Sequence, residues 1–234
     1  MVIDMAYQSV FKRLEQKYII TKERSVLLKE LIADYMHSDS YGKSKICNLY
    51  FDTPDYLLIR RSVEKPVFKE KLRVRSYGTA SPDSTVFAEI KRKYKGVVYK
   101  RRINIKERDV IPLLCERKFD TVGQISHEID YFLKQYSSLA PRFFISYDRE
   151  AFYSNDDKNF RITFDENIVW RTNDLSLCSA SYGEKLLPDT AVLMEIKSAT
   201  AIPLWLTDFL SKNQIYKTSF SKYGEAYKTN LLRK

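Results

Sequence analysis

Charged and uncharged positions alternate along residues 67–105 with the two-residue period of β-strands. One face of the first run is basic and carries Lys69, Lys71, Arg73 and Arg75. The opposite face of the same run carries Glu70, Leu72 and Val74. Two further runs repeat the pattern up to residue 105. Like charges that face one another on paired strands repel, so this pattern predicts a polyanion as the missing counter-charge.

The rest of the chain alternates between strand-like and helix-like patterns. Runs with the period of a strand predict five more strands, at residues 11–20, 46–52, 142–152, 159–165 and 192–197. Apolar stripes with helical spacing predict five helices, at residues 22–37, 107–118, 124–138, 203–212 and 222–232. Pro112 limits the second of these helices to short turns. The predicted fold class is therefore α+β, with eight strands.

Nearly every predicted strand has one charged and one apolar face, and alternation alone leaves open which face points inward. Outward charged faces would give an ordinary barrel or sandwich with a basic surface. The apolar stripes of the helices, however, must pack on something. We therefore predict a closed eight-stranded antiparallel β-barrel with a charged lumen and the helices packed outside. Residues 1–234 are expected to form one domain of this kind.

The composition of the chain indicates which classes of molecule it binds and where it is located. The net charge of +10 predicts attraction to anions such as nucleotides, polyphosphate, nucleic acid or an anionic membrane surface. Three widely spaced cysteines, no signal-peptide pattern and no long apolar run together predict a cytoplasmic protein. No G-x-x-x-x-G-K-[ST] loop and no obvious catalytic histidine occurs in the sequence.

Eight short motifs, in this order along the chain, carry a resemblance to a known family. They are E-Q-K-Y at Lys17, L-Y-F-D at residues 49–52, R-V-R-S-Y-G at residues 73–78, F-A-E-I-K at residues 87–91, Y-D-R at residues 147–149, R-I-T-F-D at Arg161, M-E-I-K at residues 194–197 and F-S-K-Y-G at residues 220–224. Together with Y-K-R-R at residues 99–102, this set resembles the triphosphate tunnel metalloenzymes. The most similar branch is the polyphosphate-polymerase domain of the vacuolar transporter chaperone complex and its bacterial relatives.

The resemblance, with the inner-face assignment, implies a set of site residues. Six basic residues are expected to act in catalysis: Lys17, Arg73, Arg75, Lys91, Arg149 and Arg161. Seven further residues are expected to contact the substrate: Arg13, Lys100, Arg102, Tyr147, Lys197, Ser221 and Lys222. Glu195 and Glu15 are the expected ligands of a divalent metal, Mn²⁺ or Mg²⁺.

The first strand departs from the wider family. Hydrolases and cyclases of this superfamily carry E-x-E-x-K there, whereas Arg13, Glu15 and Lys17 give R-x-E-x-K. The change removes one carboxylate and adds a cation. It favours a polymerase over a two-metal hydrolase without excluding the hydrolase.

The resemblance thus implies a metal-dependent polyphosphate polymerase that transfers the terminal phosphate of ATP to a growing polyphosphate chain. The alternatives are a metal-dependent hydrolase of tripolyphosphate or of a nucleoside triphosphate, and a non-catalytic polyphosphate-binding module. Nucleic acid is not an expected partner, because most aromatic residues fall on apolar faces. A membrane-protein partner that would hold the protein at the inner face of a membrane is left open.

Overall fold

The computed structural model describes residues 10–11, 14–64, 66–95, 97–118, 123–136 and 138–233. These residues form one antiparallel sheet, with strands of different lengths and with helices on both of its faces. The eleven strands are β1 Val10–Phe11, β2 Leu14–Thr21, β3 Met36–Ser38, β4 Ser44–Asp52, β5 Phe68–Tyr77, β6 Thr85–Tyr94, β7 Val97–Lys106, β8 Ala140–Ser154, β9 Arg161–Arg171, β10 Glu184–Lys185 and β11 Ala191–Ser198.

Six α-helices accompany the sheet in the described part of the chain. They are α1 Lys22–Ile32, α2 Leu57–Val63, α3 Val110–Leu114, α4 Gln124–Gln135, α5 Leu204–Lys212 and α6 Lys222–Leu231. A 3-10 turn over Glu107–Asp109 leads into α3. Within the described ranges, no helix has both the length and the apolar character needed to cross a membrane.

The strands pair in the order β1-β7-β6-β5-β4-β8-β9-β11-β2, with β10 attached to β9 and β3 attached to β8. All of these pairs are antiparallel. The two ends of this path, β1 and β2, are separated in sequence only by residues 12 and 13, which lie outside the described residues. The path therefore begins and ends in the same N-terminal stretch of chain.

The prediction of a closed eight-stranded barrel is corrected in two respects. Within the described residues the sheet has eleven strands, because the N-terminal stretch contributes two and the short β3 and β10 were not expected. Among the described strands, the hydrogen-bonded path also does not close, because β1 pairs only with β7 and β2 pairs with β11. The antiparallel sheet with packed helices is confirmed.

Two apolar cores show that the uncharged strand faces point outward, under the helices. One core joins β4, β5 and β6 to α3 and α4, with Leu72, Val74, Ile129 and Phe132 all buried. The other joins β2, β9 and β11 to α1 and α5. Each core removes apolar side chains from water, which is the main favourable term in folding. The charged strand faces consequently lie on the opposite side of the sheet, as predicted.

A third apolar cluster lies on the charged side and is covered by α6. Ser221 caps this helix by accepting a hydrogen bond from the backbone N–H of Gly224 at 3.2 Å. Tyr223 donates a hydrogen bond to the buried carboxylate of Asp52 at 2.8 Å and stacks on Tyr50 with ring centroids 4.5 Å apart. The start of α6 is therefore anchored against the charged face of β4.

Several predicted element boundaries were wrong. The helix predicted over residues 22–37 ends at Ile32, and Met36 instead begins β3, which pairs with the end of β8. The pattern at residues 107–118 gives only the 3-10 turn and the five-residue α3, in keeping with the expected effect of Pro112. Helix α2 was not predicted at all.

Candidate functional site

The candidate site is the charged side of the sheet, called the inner face here. Strand parity and register place twelve predicted site residues on it: Glu15, Lys17, Arg73, Arg75, Lys91, Lys100, Arg102, Tyr147, Arg149, Arg161, Glu195 and Lys197. Ser221 and Lys222 join them from the start of α6. Arg13, also predicted to contact substrate, lies outside the described residues. The structure thus brings the described predicted residues together, and their roles stay predictions.

The inner face is concave. Lys91 on β6 forms an ion pair of 3.2 Å with Glu15 on β2, although five strands lie between β6 and β2 in the pairing order. Lys17 on β2 donates a hydrogen bond of 2.8 Å to the backbone carbonyl of Phe220, just before α6. Side chains from distant strands therefore surround a common space.

Glu89 holds three cations on one wall of this space. Its buried carboxylate accepts a hydrogen bond from Arg73 Nε at 2.9 Å and lies 2.6 Å from Lys100 Nζ and 3.4 Å from Arg102 Nε. Burial acts to raise the pKa of Glu89, but Arg73, Arg75 and Lys100 outweigh it and hold the pKa far below its usual range. Burial lowers the pKa of Lys100 to about 8, despite the attraction of Glu89. One carboxylate fixes three cations here and leaves positive charge in excess.

Asp165 plays the same part on the opposite wall. Arg149 donates two hydrogen bonds to its carboxylate, at 2.6 and 2.7 Å, and Lys222 donates one at 2.5 Å. Burial acts to raise the pKa of Asp165, but these two cations lower it to about 2. Tyr147 lies beside them, with its ring centroid 4.3 Å from Lys222 Nζ. Burial also opposes ionisation of Tyr147, yet Arg149, Arg75 and Lys222 lower the pKa of its hydroxyl to about 8.

Lys71 is surrounded by other cations of the inner face. Its Nζ lies 3.4 Å from Ser221 Oγ and 5.7 Å from the centre of the Tyr223 ring. Burial lowers the pKa of Lys71 to about 7, with the help of four neighbouring cations, Lys17, Lys69, Lys91 and Arg73. A lysine held among cations in this way is stabilised by an anion that enters the site.

Two carboxylates on adjacent strands form the candidate metal site. Glu195 of β11 pairs in register with Lys17 of β2, and Lys197 pairs with Glu15, so both glutamates lie on the inner face one step apart. Burial acts to raise the pKa of Glu195, but Lys197 and Lys17 hold it well below its usual range. In the described part of the chain, no three His, Cys, Asp or Glu side chains form a metal-binding group. Two carboxylates fit Mg²⁺ or Mn²⁺ only when phosphate oxygens and water complete the coordination.

The described part of the structure adds five inner-face residues that the sequence did not single out as site residues. Lys71, Glu89 and Asp165 are described above. Asn48 accepts a hydrogen bond from Arg75 Nε at 3.0 Å, and Tyr50 accepts one from Arg73 at 3.3 Å. Asn48 directly precedes the L-Y-F-D motif and Tyr50 belongs to it. The only sequence signal for them was the alternation along β4, which places them on its inner face.

A cavity of the described residues lies elsewhere, on the outer side between β5, β6 and α4. It measures about 530 Å³ and is lined by Glu70, Arg92, Glu128, Tyr131 and their neighbours. Two carboxylates and one guanidinium give it no positive excess, because Arg92 is paired with Glu70 at 3.0 Å. It therefore lacks the charge that a polyanion site requires, whereas the inner face has it.

Known structures share this fold. A candidate adenylate cyclase from Bacillus halodurans is 15% identical, covers 91% of this chain over 95% of its own length, and superposes with a TM-score of 0.57. A candidate adenylyl cyclase from Hippeastrum, which has a dominant triphosphatase activity, is also 15% identical and has a TM-score of 0.51, with 90% and 93% of the two chains covered. No curated protein matches the chain significantly.

At this level of identity, the two solved structures show a shared fold. The family model of the VTC domain matches residues 12–231, nearly the whole chain. The resemblance drawn from the sequence motifs is thereby confirmed. The chain belongs to the VTC domain family.

Proposed function

We propose that this protein is a polyphosphate polymerase that transfers the terminal phosphate of ATP to an inorganic polyphosphate chain. The observation that carries the proposal is the crowding of Lys71 by four cations on a concave face. Burying like charges together is unfavourable unless a counter-charge is bound. A chain of phosphates supplies one negative charge or more at each unit, so it can offset several of these cations at once.

We further propose that the inner face is the wall of a tunnel, although the hydrogen-bonded path of the described strands does not close. The ion pair between Lys91 and Glu15 supports this, because it joins strands near opposite ends of the pairing order. The consecutive positions of β1 and β2 support it as well. Residues 1–234 would then form a single catalytic unit, and the family match over residues 12–231 agrees with that organisation.

The cations of the inner face are of two kinds, arginines oriented by buried carboxylates and lysines that act as point charges. Arg73 and Arg149 are oriented by the buried carboxylates Glu89 and Asp165, so they present their remaining N–H groups in fixed directions. Such pre-organised donors stabilise charge on a transferring phosphoryl group without reorganising during the reaction. Lysines such as Lys71 and Lys91 neutralise the rest of the substrate as point charges.

The acceptor needs little help from the protein. A terminal phosphate is already an anion at neutral pH, so transfer to it requires positioning and charge neutralisation rather than a strong base. Glu195 and Glu15 would hold a divalent cation, Mn²⁺ or Mg²⁺, together with phosphate oxygens. When bound, that cation would supply charge neutralisation at the transferring group. Lys197, 3.2 Å from Glu195, would keep a phosphate oxygen beside it.

A metal-dependent hydrolase of tripolyphosphate or nucleoside triphosphates is the second candidate. It is favoured by the position of Glu15 and Glu195 on the same face of the adjacent strands β2 and β11, since two carboxylates beside a metal can also orient a water molecule. A non-catalytic polyphosphate-binding module would need the cations but not this pair. For the polymerase we propose ATP and polyphosphate as partners and no nucleic acid. We propose a cytoplasmic location and leave open a membrane-protein partner.

The product distribution tests the proposal. Purified protein with ATP and either Mn²⁺ or Mg²⁺ is expected to form ADP and chains longer than three phosphates, and added short polyphosphate should shorten any lag. Orthophosphate as the only phosphate product would favour the hydrolase. Binding of tripolyphosphate without either product would favour the non-catalytic module.

Glu195→Gln tests the role of the metal site. The substitution keeps the shape of the side chain and removes its charge, so tripolyphosphate should bind as well as before or more tightly. ATP turnover should fall by about 100-fold or more, because charge neutralisation by a metal contributes several kcal/mol. Calorimetry measures the binding and ADP release measures the turnover. Glu128→Gln on the outer helix α4 is the matched control. A parallel loss of binding and turnover would contradict the assignment.

A further inference from the structure

Three aromatic side chains line one end of the inner face. Tyr77 ends β5, Phe87 lies near the start of β6, and Tyr153 lies near the end of β8. They share strand parity with Arg75, Glu89 and Arg149, so they continue the inner face beyond its cations. We call these three residues the aromatic collar. The rings of Tyr77 and Phe87 meet edge to face at 5.7 Å.

Tyr77 is the open member of the collar. Its side chain is 58% exposed, although it stands two residues from Arg75, which is 8% exposed. Phe87 supports it from one side, and Arg102 covers Phe87 with its guanidinium carbon 3.8 Å from the ring centre. Tyr153 is likewise covered by Arg161 at 4.6 Å. Tyr77 therefore presents an exposed aromatic ring, supported by Phe87, at the edge of the proposed polyanion site. Such a ring is suited to stacking against a planar group such as a nucleic-acid base.

The charges around the collar differ from those deeper inside. The Nε of Arg161 is buried and has no hydrogen-bond partner among the described residues. Arg161 therefore has a hydrogen-bond donor available at the collar end of the inner face. Asp39 lies close enough to act on both Arg161 and Tyr153 electrostatically. A carboxylate repels a chain of bare phosphates but accepts hydrogen bonds from sugar hydroxyls. The end of the inner face therefore suits the nucleoside part of a nucleotide better than a phosphate chain.

We propose that the aromatic collar is a nucleoside-binding subsite in which Tyr77 stacks on the base of a nucleoside triphosphate. Arg161 then takes the phosphate nearest the sugar, and the remaining phosphates extend inward toward Arg73 and Lys71. The inference rests on the proposed phosphate-binding role of the inner face and adds a specificity element to it. The collar distinguishes a nucleotide from inorganic tripolyphosphate, which carries the same phosphates without a base.

The test compares two ligands on three proteins. ATP and tripolyphosphate are titrated calorimetrically into the wild type, Tyr77→Ala and Tyr77→Phe, with EDTA present to prevent turnover. Tyr77→Ala should weaken ATP binding by about 5- to 150-fold, the range that loss of one stacked base gives. Tripolyphosphate binding should stay unchanged. Tyr77→Phe keeps the ring and should bind ATP like the wild type.

Tyr131→Ala is the matched control, because Tyr131 is a similarly exposed tyrosine (66%) on the outer helix α4. Equal losses for both ligands with Tyr77→Ala would make the ring merely structural and overturn the subsite. No change for either ligand would overturn it as well. If the wild type bound neither ligand, the phosphate-binding role itself would fail, which is a distinct result.

Discussion

At the scale of single residues, the inner face contains two kinds of cation. Arg73 and Arg149 are each tied to a buried carboxylate, at 2.9 and 2.6 Å. Lys71 contacts the hydroxyl of Ser221 and the ring of Tyr223 instead, and four neighbouring cations add to the effect of burial in lowering its pKa. The arginines therefore provide fixed geometry, whereas Lys71 provides a charge that is unfavourable until an anion neutralises it.

This difference predicts the pH dependence of anion binding. Burial and neighbouring cations lower the pKa of Lys71 to about 7, so raising the pH from 6 to 8 should remove its proton in the free protein. Tripolyphosphate affinity, measured by calorimetry, should fall over that interval. Lys71→Met should weaken binding at pH 6 by about tenfold or more, the worth of one charged hydrogen bond, and should reduce the fall between pH 6 and 8.

The same substitution should have the opposite effect on stability. Because the pKa of Lys71 is lower in the folded than in the unfolded protein, its burial and the repulsion by neighbouring cations cost stability fully below pH 7. This cost is relieved as the pH rises toward the unfolded pKa of 10.5. Lys71→Met should therefore raise the melting temperature of the ligand-free protein at pH 6. Lys134→Met, at an exposed position of α4, should leave the melting temperature unchanged. A lower melting temperature with unchanged binding would contradict the assignment.

Sequence alone predicted which strand face was charged but not which charges would be paired. The parity of β5 and β6 follows from local alternation, and both carry their cations where predicted. The pairing of Lys222 with Asp165 joins residues 57 positions apart, and no local pattern reports such contacts. Asn48 and Tyr50 were missed because uncharged residues on an inner face resemble ordinary core residues.

At the scale of elements, α6 is the helix that completes the site. Its apolar stripe predicted packing but not the side of the sheet on which it packs. The structure places Tyr223, Ala226 and Tyr227 against the third apolar cluster on the inner side. Because Ser221 and Lys222 begin the helix, its position decides where two substrate-contact candidates stand.

Tyr223→Phe tests this anchor. The substitution removes the hydrogen bond of 2.8 Å to Asp52, whose side chain is fully buried and also accepts the backbone N–H groups of Leu58 and Ile59. Leaving a buried carboxylate with one partner fewer should cost about 1–3 kcal/mol in the free energy of unfolding, measured by urea denaturation. Tyr131→Phe on α4 removes an exposed hydroxyl and serves as control. A loss no larger than that of the control would contradict the anchoring role.

Asp52 also explains why α2 escaped prediction. The T-P-D sequence before α2 is typical of a turn, and the seven residues Leu57–Val63 form only about two helical turns. Its first N–H group, that of Leu57, donates to the hydroxyl of Thr53, and the next two donate to Asp52 at the end of β4. Both acceptors lie several residues before the helix. Local capping signals therefore do not reveal it.

At the scale of the whole molecule, the fold concentrates the positive charge of the chain on one side of the sheet. The chain carries a net charge of +10 and places many of its cations on one concave face. The strand order that produces this concavity, with β4 between β5 and β8, could not be read from the sequence, because alternation specifies faces and not partners. Helices on the outer faces then stabilise a sheet whose inner side is strained by repulsion.

A polyanion should therefore stabilise the whole fold. A ligand that binds only the folded state at 100 times its Kd adds about 2.7 kcal/mol to the free energy of unfolding. For a chain of this size, that corresponds to a rise of about 5–10 °C in melting temperature. Tripolyphosphate should produce this rise at concentrations where chloride of equal ionic strength does not, because screening by chloride cannot replace bound phosphates at buried lysines. Differential scanning calorimetry at pH 7 with matched ionic strength measures it. Equal shifts with both salts would contradict an anion-binding inner face, whatever the products that the enzyme assay detects.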